Sequence, residues 1–133
     1  MKYSKATNYA LHTMVYLAAV SPDKRLGVQQ LAERFDVSPT YLSKILTKLV
    51  KAGMIASVSG ANGGYKLKPS WEKISFMDVI DAIEGSDSLF DCNLNHQSDC
   101  VIQQVMESAE EEMENKLKKQ KIADIAKKIT VDH

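Results

Sequence analysis

The sequence has 133 residues, is 44% hydrophobic and 26% charged, and carries a formal net charge of zero. That is ordinary for one globular domain with an attached extension; no apolar run approaches the ~20 residues of a membrane span, and two cysteines are too few for a disulfide scaffold. The zero net charge hides a division: residues 1–70 hold ten Lys/Arg against three acids, and residues 71–133 hold seven Lys against fourteen acids. A basic half joined to an acidic half points to a polyanion as the partner of the first half.

The chain opens on a polar stretch, Met1–Thr7, with Lys2 and Lys5. The apolar residues behind it are interrupted by His12 and Thr13, so no signal peptide is expected and a cytoplasmic location is. A first helix is predicted from Ser4 to Val20, where Tyr9, Ala10, Met14, Leu17 and Ala18 recur at helical spacing and Ser21-Pro22-Asp23 stops it. A second helix spans Val28 to Phe35, with Val28, Leu31, Ala32 and Phe35 on one side. Asp36 follows where the chain must turn sharply, a place Asp tolerates.

The third helix has a strong start signal. Ser38 can cap it and Pro39 suits its first turn; it continues to Ala52, and Gly53 ends it. At 100° per residue, Thr40, Ser43, Lys44, Thr47, Lys48 and Lys51 fall in one arc of about 140°, and Leu42, Ile45, Leu46, Leu49 and Val50 fall in the opposite one. One face is greasy. The other is basic, bears small hydroxyls and has no acid. Tyr41 lies at the border.

Met54 to Val58 reads as a short strand, Ser59 to Gly64 as a turn, and Tyr65 to Lys68 as the returning strand, ended by Pro69. Trp71 is expected to pack where this hairpin meets the next helix. Ser75 and Asp78 have capping-box spacing for a fourth helix with the apolar stripe Phe76, Val79, Ile80 and Ile83, closed by Gly85. Residues 86–100 show no period and contain Cys92, His96 and Cys100. An irregular stretch of that length within a compact domain is usually functional or disordered. The fifth helix, Val101 to Lys119, has Ile102, Val105, Met106, Ala109, Met113 and Leu117 on one stripe and an acidic remainder. A short last helix is predicted from Ile122 to Ile129.

Helix, tight turn, capped helix and hairpin form the order of a winged helix-turn-helix. A helix fits the DNA major groove. Lys44, Lys48 and Lys51 are placed to neutralise phosphates, and Thr40, Ser43 and Thr47 to reach base edges; Tyr41 can contact phosphate through its hydroxyl. Ser38 lies at the start of the same face. At the hairpin, Ser59, Gly60, Asn62, Gly63 and Gly64 let the backbone approach the duplex and donate amides to phosphate oxygens. The fold class expected is mainly α with a small β-hairpin, the winged domain occupying residues 1–85.

The run Tyr41-Leu42, Leu46, Leu49, Ala52-Gly53-Met54-Ile55, Ser57 through Tyr65, and Leu67 resembles the IscR/NsrR/CymR type of bacterial regulators. Ile74-Ser75, Val79-Ile80, Ile83-Glu84 and the opening Thr7-Asn8-Tyr9-Ala10-Leu11 are similar too. The resemblance covers nearly the whole chain. It implies a homodimeric winged-helix transcription factor that binds a double-stranded DNA operator and has no membrane partner. It also implies that the long fifth helix pairs across the dimer through Ile102, Val105, Met106, Ala109, Met113 and Leu117. Residues 86–100 would then be a sensor-type loop and 101–133 the dimerisation helices, and the leading function is a DNA-binding repressor.

Three departures from that family stand out. Many members carry, where this chain has Ser59, an Arg that can enter the minor groove, so the wing contact is expected to differ. Cluster-binding members carry three cysteines between the fourth helix and the dimer helix, where this chain has Cys92 and Cys100. The nitric-oxide-sensing branch can use an Asp on the first helix as a cluster ligand, and the matching residue here is Asn8, a poor ligand for iron.

Three readings of the two thiols stay open: a thiol switch in which Cys92 and Cys100 meet within disulfide range, a cluster completed by His96, Asp91, Asp99 or a partner chain, and no sensing role. No resident metal or cofactor is expected. Nor is an enzyme, since no nucleophile–base pair, phosphate-cradling Gly-Lys motif or zinc-ligand spacing is present. The alternatives to a thiol-responsive regulator are a winged-helix protein-interaction module and an iron–sulfur-dependent regulator with an atypical ligand set.

Overall fold

The computed structural model describes residues 3–20, 22–90 and 100–129. Helix α1 (Lys5–Val20) begins where Ser4 caps it: the Thr7 N–H donates to the Ser4 hydroxyl at 3.2 Å. The Glu84 carboxylate comes from far along the chain to the same place. It accepts the Ser4 N–H at 3.0 Å and the buried Thr7 hydroxyl at 2.6 Å. A carboxylate there both satisfies unpaired donors and faces the positive end of the helix dipole.

Helix α2 (Val28–Phe35) ends at Asp36 with φ 54°, which among the described residues is the only non-glycine in the left-handed region. The turn is closed by the Val37 N–H donating to the Ala32 carbonyl at 3.0 Å. Helix α3 (Pro39–Lys51) starts as expected, with the Ser38 hydroxyl accepting the Tyr41 N–H at 3.1 Å. Gly53, at φ 78°, lets the chain leave it.

Strands β1 (Ile55–Val58) and β2 (Gly64–Leu67) pair antiparallel with Ile55 opposite Leu67 and Val58 opposite Gly64. Met54 and Lys68 fall just outside the strands, because Pro69 follows and only the Lys68 N–H still reaches the Met54 carbonyl, at 3.2 Å. A second pairing locks the hairpin to the rest of the molecule. Leu26, in the loop between α1 and α2, exchanges hydrogen bonds of 3.0 and 2.8 Å with Tyr65. A Cβ on Gly64 would lie 2.8 Å from both the carbonyl carbon and the oxygen of Leu26, so glycine is what permits this approach.

A 3-10 turn at Trp71–Lys73, which has no strong sequence signal, leads to α4 (Phe76–Glu84). The capping box is present: Ser75 accepts the Asp78 N–H at 3.1 Å and Asp78 accepts the Ser75 N–H at 2.9 Å. Helix α5 (Val101–Lys119) is followed by α6 (Ile122–Ala126), which stops three residues short of the predicted Ile129.

One core joins these helices. Met14 and Leu17 of α1, Leu31 of α2, Leu42, Leu46 and Leu49 of α3, Val79 of α4 and Ile122 of α6 are all essentially without exposure. Helix α6 lies in the same core as α1. Its approach is fixed by a backbone pair in which the Phe76 N–H donates to the Gln120 carbonyl at 2.8 Å and the Ile122 N–H to the Ile74 carbonyl at 3.0 Å.

Gly64 has φ 143° and the close Leu26 contact just described. Gly64→Ala is expected to destabilise the protein by about 1–3 kcal/mol, read as a lower urea midpoint. An unchanged midpoint would show that the hairpin can leave Leu26 at no cost.

Candidate nucleic-acid interface

The partition of α3 follows from its burial. Leu42, Ile45, Leu46 and Leu49 point into the core, so the opposite side must face outward. Thr40, Tyr41, Lys44, Thr47, Lys48 and Lys51 are exposed and Ser43 is half-buried. Every predicted α3 residue thus lies on one accessible surface, with Ser38 exposed at its start.

Three of these side chains also have duties within the fold. The Thr47 hydroxyl donates to the Ser43 carbonyl one turn back at 2.9 Å, leaving its lone pairs to accept from a partner. Tyr41 stacks edge-on against Tyr9, with ring centroids 5.9 Å apart, and joins a cluster in which Phe35 touches Tyr9, His12 and Tyr16. The Lys48 ammonium donates to the Ile83 carbonyl at 3.4 Å, near the C-terminal end of α4, where a cation meets the negative end of the dipole. The phosphate role read from sequence for Lys48 is therefore shared with a structural one, whereas Lys44 and Lys51 extend from the same face into solvent.

At the hairpin tip, Ser59, Gly60 and Asn62 are exposed, and Gly63 and Gly64 are half-buried. The glycine requirement at 63 and 64 arises inside the protein. A Cβ at 63 would collide with the Val58 carbonyl oxygen, and one at 64 with Leu26. Sequence reasoning passed over Arg25, whose guanidinium reaches the tip and lies 3.5 Å from the Asn62 carbonyl. The only signal was a basic pair, Lys24-Arg25, before Leu26.

The apolar stripe of α5 divides. Met113 and Leu117 are half-buried against Met77 and Ile80 of α4 in the same chain. Ile102, Val105 and Met106 stand 67%, 61% and 44% exposed, as does Val101 at 70%, and Ala109 is exposed beside them. The predicted pairing surface is thus available over its N-terminal half and partly used within the chain over its C-terminal half. Near that boundary the Glu110 carboxylate accepts the Leu89 N–H at 3.0 Å and the Ser88 hydroxyl at 2.9 Å, holding residues 88–90 against α5.

Between the end of α3, the hairpin base and α4 lies an open cavity of about 450 Å³, lined by Met54, Lys68, Trp71, Ile74 and Asp81 among others. Trp71 packs there, as its sequence position implied. Burial pushes the Asp81 carboxyl above its ordinary value and neighbouring Asp78 adds to that, while Lys118 opposes it.

The Rrf2 family model, described as an iron-dependent transcriptional regulator, matches residues 3–128. The chain belongs to the Rrf2 family. Among Rrf2-type relatives, YffB of Lactococcus lactis subsp. lactis, an HTH-type transcriptional regulator by name, is 38% identical over 90 residues, which cover 68% of this chain and 58% of that protein. The transcriptional regulator NsrR of Geobacillus kaustophilus is 31% identical over 102 residues, covering 77% of this chain and 69% of the relative. Staphylococcus aureus CymR, in its oxidised form, superimposes with a TM-score of 0.77 at 28% identity and covers the whole of both chains. IscR of T. potens gives 0.77 at 29% identity, over 100% of this chain and 94% of that one. The family described is one of transcriptional regulators, and these relatives are named as regulators rather than enzymes, in line with the sequence reading.

The family description raises the question of iron. Cys100 is the half-buried N-cap residue of α5 and Asn8 is exposed on α1. Cys92, His96, Asp91 and Asp99 lie outside the described residues. Clusters are held mainly by thiolates, commonly four; the sequence has two cysteines, and among the described residues no three His, Cys, Asp or Glu are grouped to hold a metal. Among the same residues no helix is long and apolar enough to cross a membrane.

The bond from Lys48 to α4 separates it from its neighbour on the helix. Lys48→Ala should lower stability by about 0.5–1.5 kcal/mol, while Lys44→Ala should leave it within about 0.5 kcal/mol. Urea denaturation of the two variants tests this, and equal midpoints would remove the structural role of Lys48.

Proposed function

We propose that the protein is a homodimeric, sequence-specific DNA-binding repressor. The observation that carries this reading is the acid-free outer face of α3, with Lys44, Lys48 and Lys51 beside Thr40, Ser43 and Thr47, held outward by the burial of Leu42, Ile45, Leu46 and Leu49 on the opposite face. The lysines attract phosphates and the hydroxyls meet base edges in the major groove. The second copy docks through the exposed half of α5, where Val101, Ile102, Val105 and Met106 leave an apolar surface of the kind that marks an interaction site. A two-fold dimer presents α3 twice, so the operator is a pseudo-palindrome. Where such a site overlaps a promoter, its occupancy would exclude polymerase, and repression is the expected output.

Both parts are tested together. Val105→Glu should yield a monomer by sedimentation and weaken operator binding by roughly a hundredfold, because two linked half-sites bind by avidity. Lys44→Ala should weaken binding to all sequences alike and flatten the salt dependence by about one unit. A chain that shifts no genomic fragment in a gel, or a Val105→Glu variant that remains dimeric, overturns the corresponding part.

A thiol-responsive form of this reading is favoured by the position of Cys100 at the start of α5, the helix that carries the proposed pairing surface. Oxidation of Cys92 and Cys100 to a disulfide, with two electrons and two protons passing to a peroxide, would tether the loop to that helix and alter the spacing of the two α3 copies. Operator affinity should then fall after mild peroxide treatment in the wild type but not in Cys92→Ser. Equal affinity before and after oxidation in the wild type removes the switch. No step of this proposal runs through iron.

A further inference from the structure

We infer that Arg25, carried outside the hairpin on the loop between α1 and α2, is the side chain with which the wing reads the DNA minor groove. The inference rests on the DNA-binding reading above and adds a specificity-determining residue to it.

The tip residues Ser59-Gly60-Ala61-Asn62-Gly63 bear no charge. A wing built from them alone has little to attract it to a polyanion. Arg25 supplies the missing cation from a neighbouring loop, and its placement there is enforced. Leu26 exchanges two backbone hydrogen bonds with Tyr65, and Gly64 removes the Cβ that would keep the two segments apart. The residue before Leu26 is thereby held next to the hairpin. From that position one guanidinium nitrogen, Nη1, reaches the Asn62 carbonyl at 3.5 Å, and both residues are exposed. A guanidinium has five N–H donors, so most remain available to a ligand.

The chemistry favours the minor groove over a phosphate. With α3 in the major groove, an element flanking it along the duplex meets the adjacent minor groove. Narrow A·T-rich minor grooves concentrate negative potential and take up arginine, whose planar group is weakly hydrated. In G·C pairs the guanine amino group occupies the groove floor and opposes entry. The Asn62 carbonyl pre-positions the guanidinium at the tip, which lowers the cost of ordering a long side chain on binding.

The test uses the full chain and a site enriched by the wild type from a library of randomised duplexes. The flank beside each half-site is then prepared with A·T, G·C or inosine·C pairs. Inosine keeps the major-groove pattern of guanine but lacks the minor-groove amino group. Wild type is expected to bind the inosine flank as it binds A·T and the G·C flank roughly tenfold more weakly. Arg25→Ala should bind all three alike, near the wild-type affinity for G·C. Arg25→Lys, which keeps the charge and serves as the control for folding, should likewise lose the difference between flanks. Equal wild-type affinity for the three flanks, or a loss in Arg25→Ala by one common factor, would make Arg25 a phosphate contact and overturn the inference while the DNA-binding reading stands. Failure of the wild type to enrich any sequence would instead remove the reading beneath it.

Discussion

The burial of the apolar side of α3 is the constraint from which the functional surface follows. Leu42, Leu46 and Leu49 have no measurable exposure and Ile45 very little. Burying a leucine contributes about 1.5–3 kcal/mol, so turning this helix by a quarter of a circle would expose the side chains that stabilise it most. The lysines and hydroxyls on the other side are therefore turned outward by that burial. Ser38 sets where the helix begins and Asp36, in its left-handed turn, sets the angle at which α2 delivers the chain to it.

Several residues serve the fold and the surface at once. Lys48 belongs to the outward face and yet bonds to α4. Tyr41 sits at the edge of that face while its ring closes a cluster shared by three helices. Gly64 looks like a residue selected for contact with a ligand, but its lack of a side chain is required by Leu26. Such double use orders these side chains in advance, and side chains already ordered lose less entropy when a partner binds.

Much of this was legible in the residues. The caps at Ser38 and Ser75, the turn at Asp36 and the two-sided pattern of α3 are local signals, and the structure has each of them. What was not legible depends on contacts between distant segments. No period marks the approach of Glu84 to Thr7, or of Arg25 to Asn62. The α5 stripe read as one continuous seam, because periodicity shows that a face is apolar but not whether α4 or a second chain covers it. The last helix ended early for a similar reason: its pattern ran on to Ile129, but Ile122, Ala123 and Ala126 are buried with Ile125 packed beside them, whereas Ile129 is exposed.

Among the described residues, α4 holds helix α5 toward its C-terminal end, and residues 88–90 hold it near its middle through Glu110. Its 19 residues rise about 28 Å, and the contacts with α4 gather at Met113, Leu117 and the Gln120–Phe76 backbone pair. With α4 as the clamp, Cys100 stands at the opposite tip. The clamp helix also presents the Ile83 carbonyl that holds Lys48. The helix that carries the exposed apolar stripe and the helix that carries the basic face thus share one support, α4.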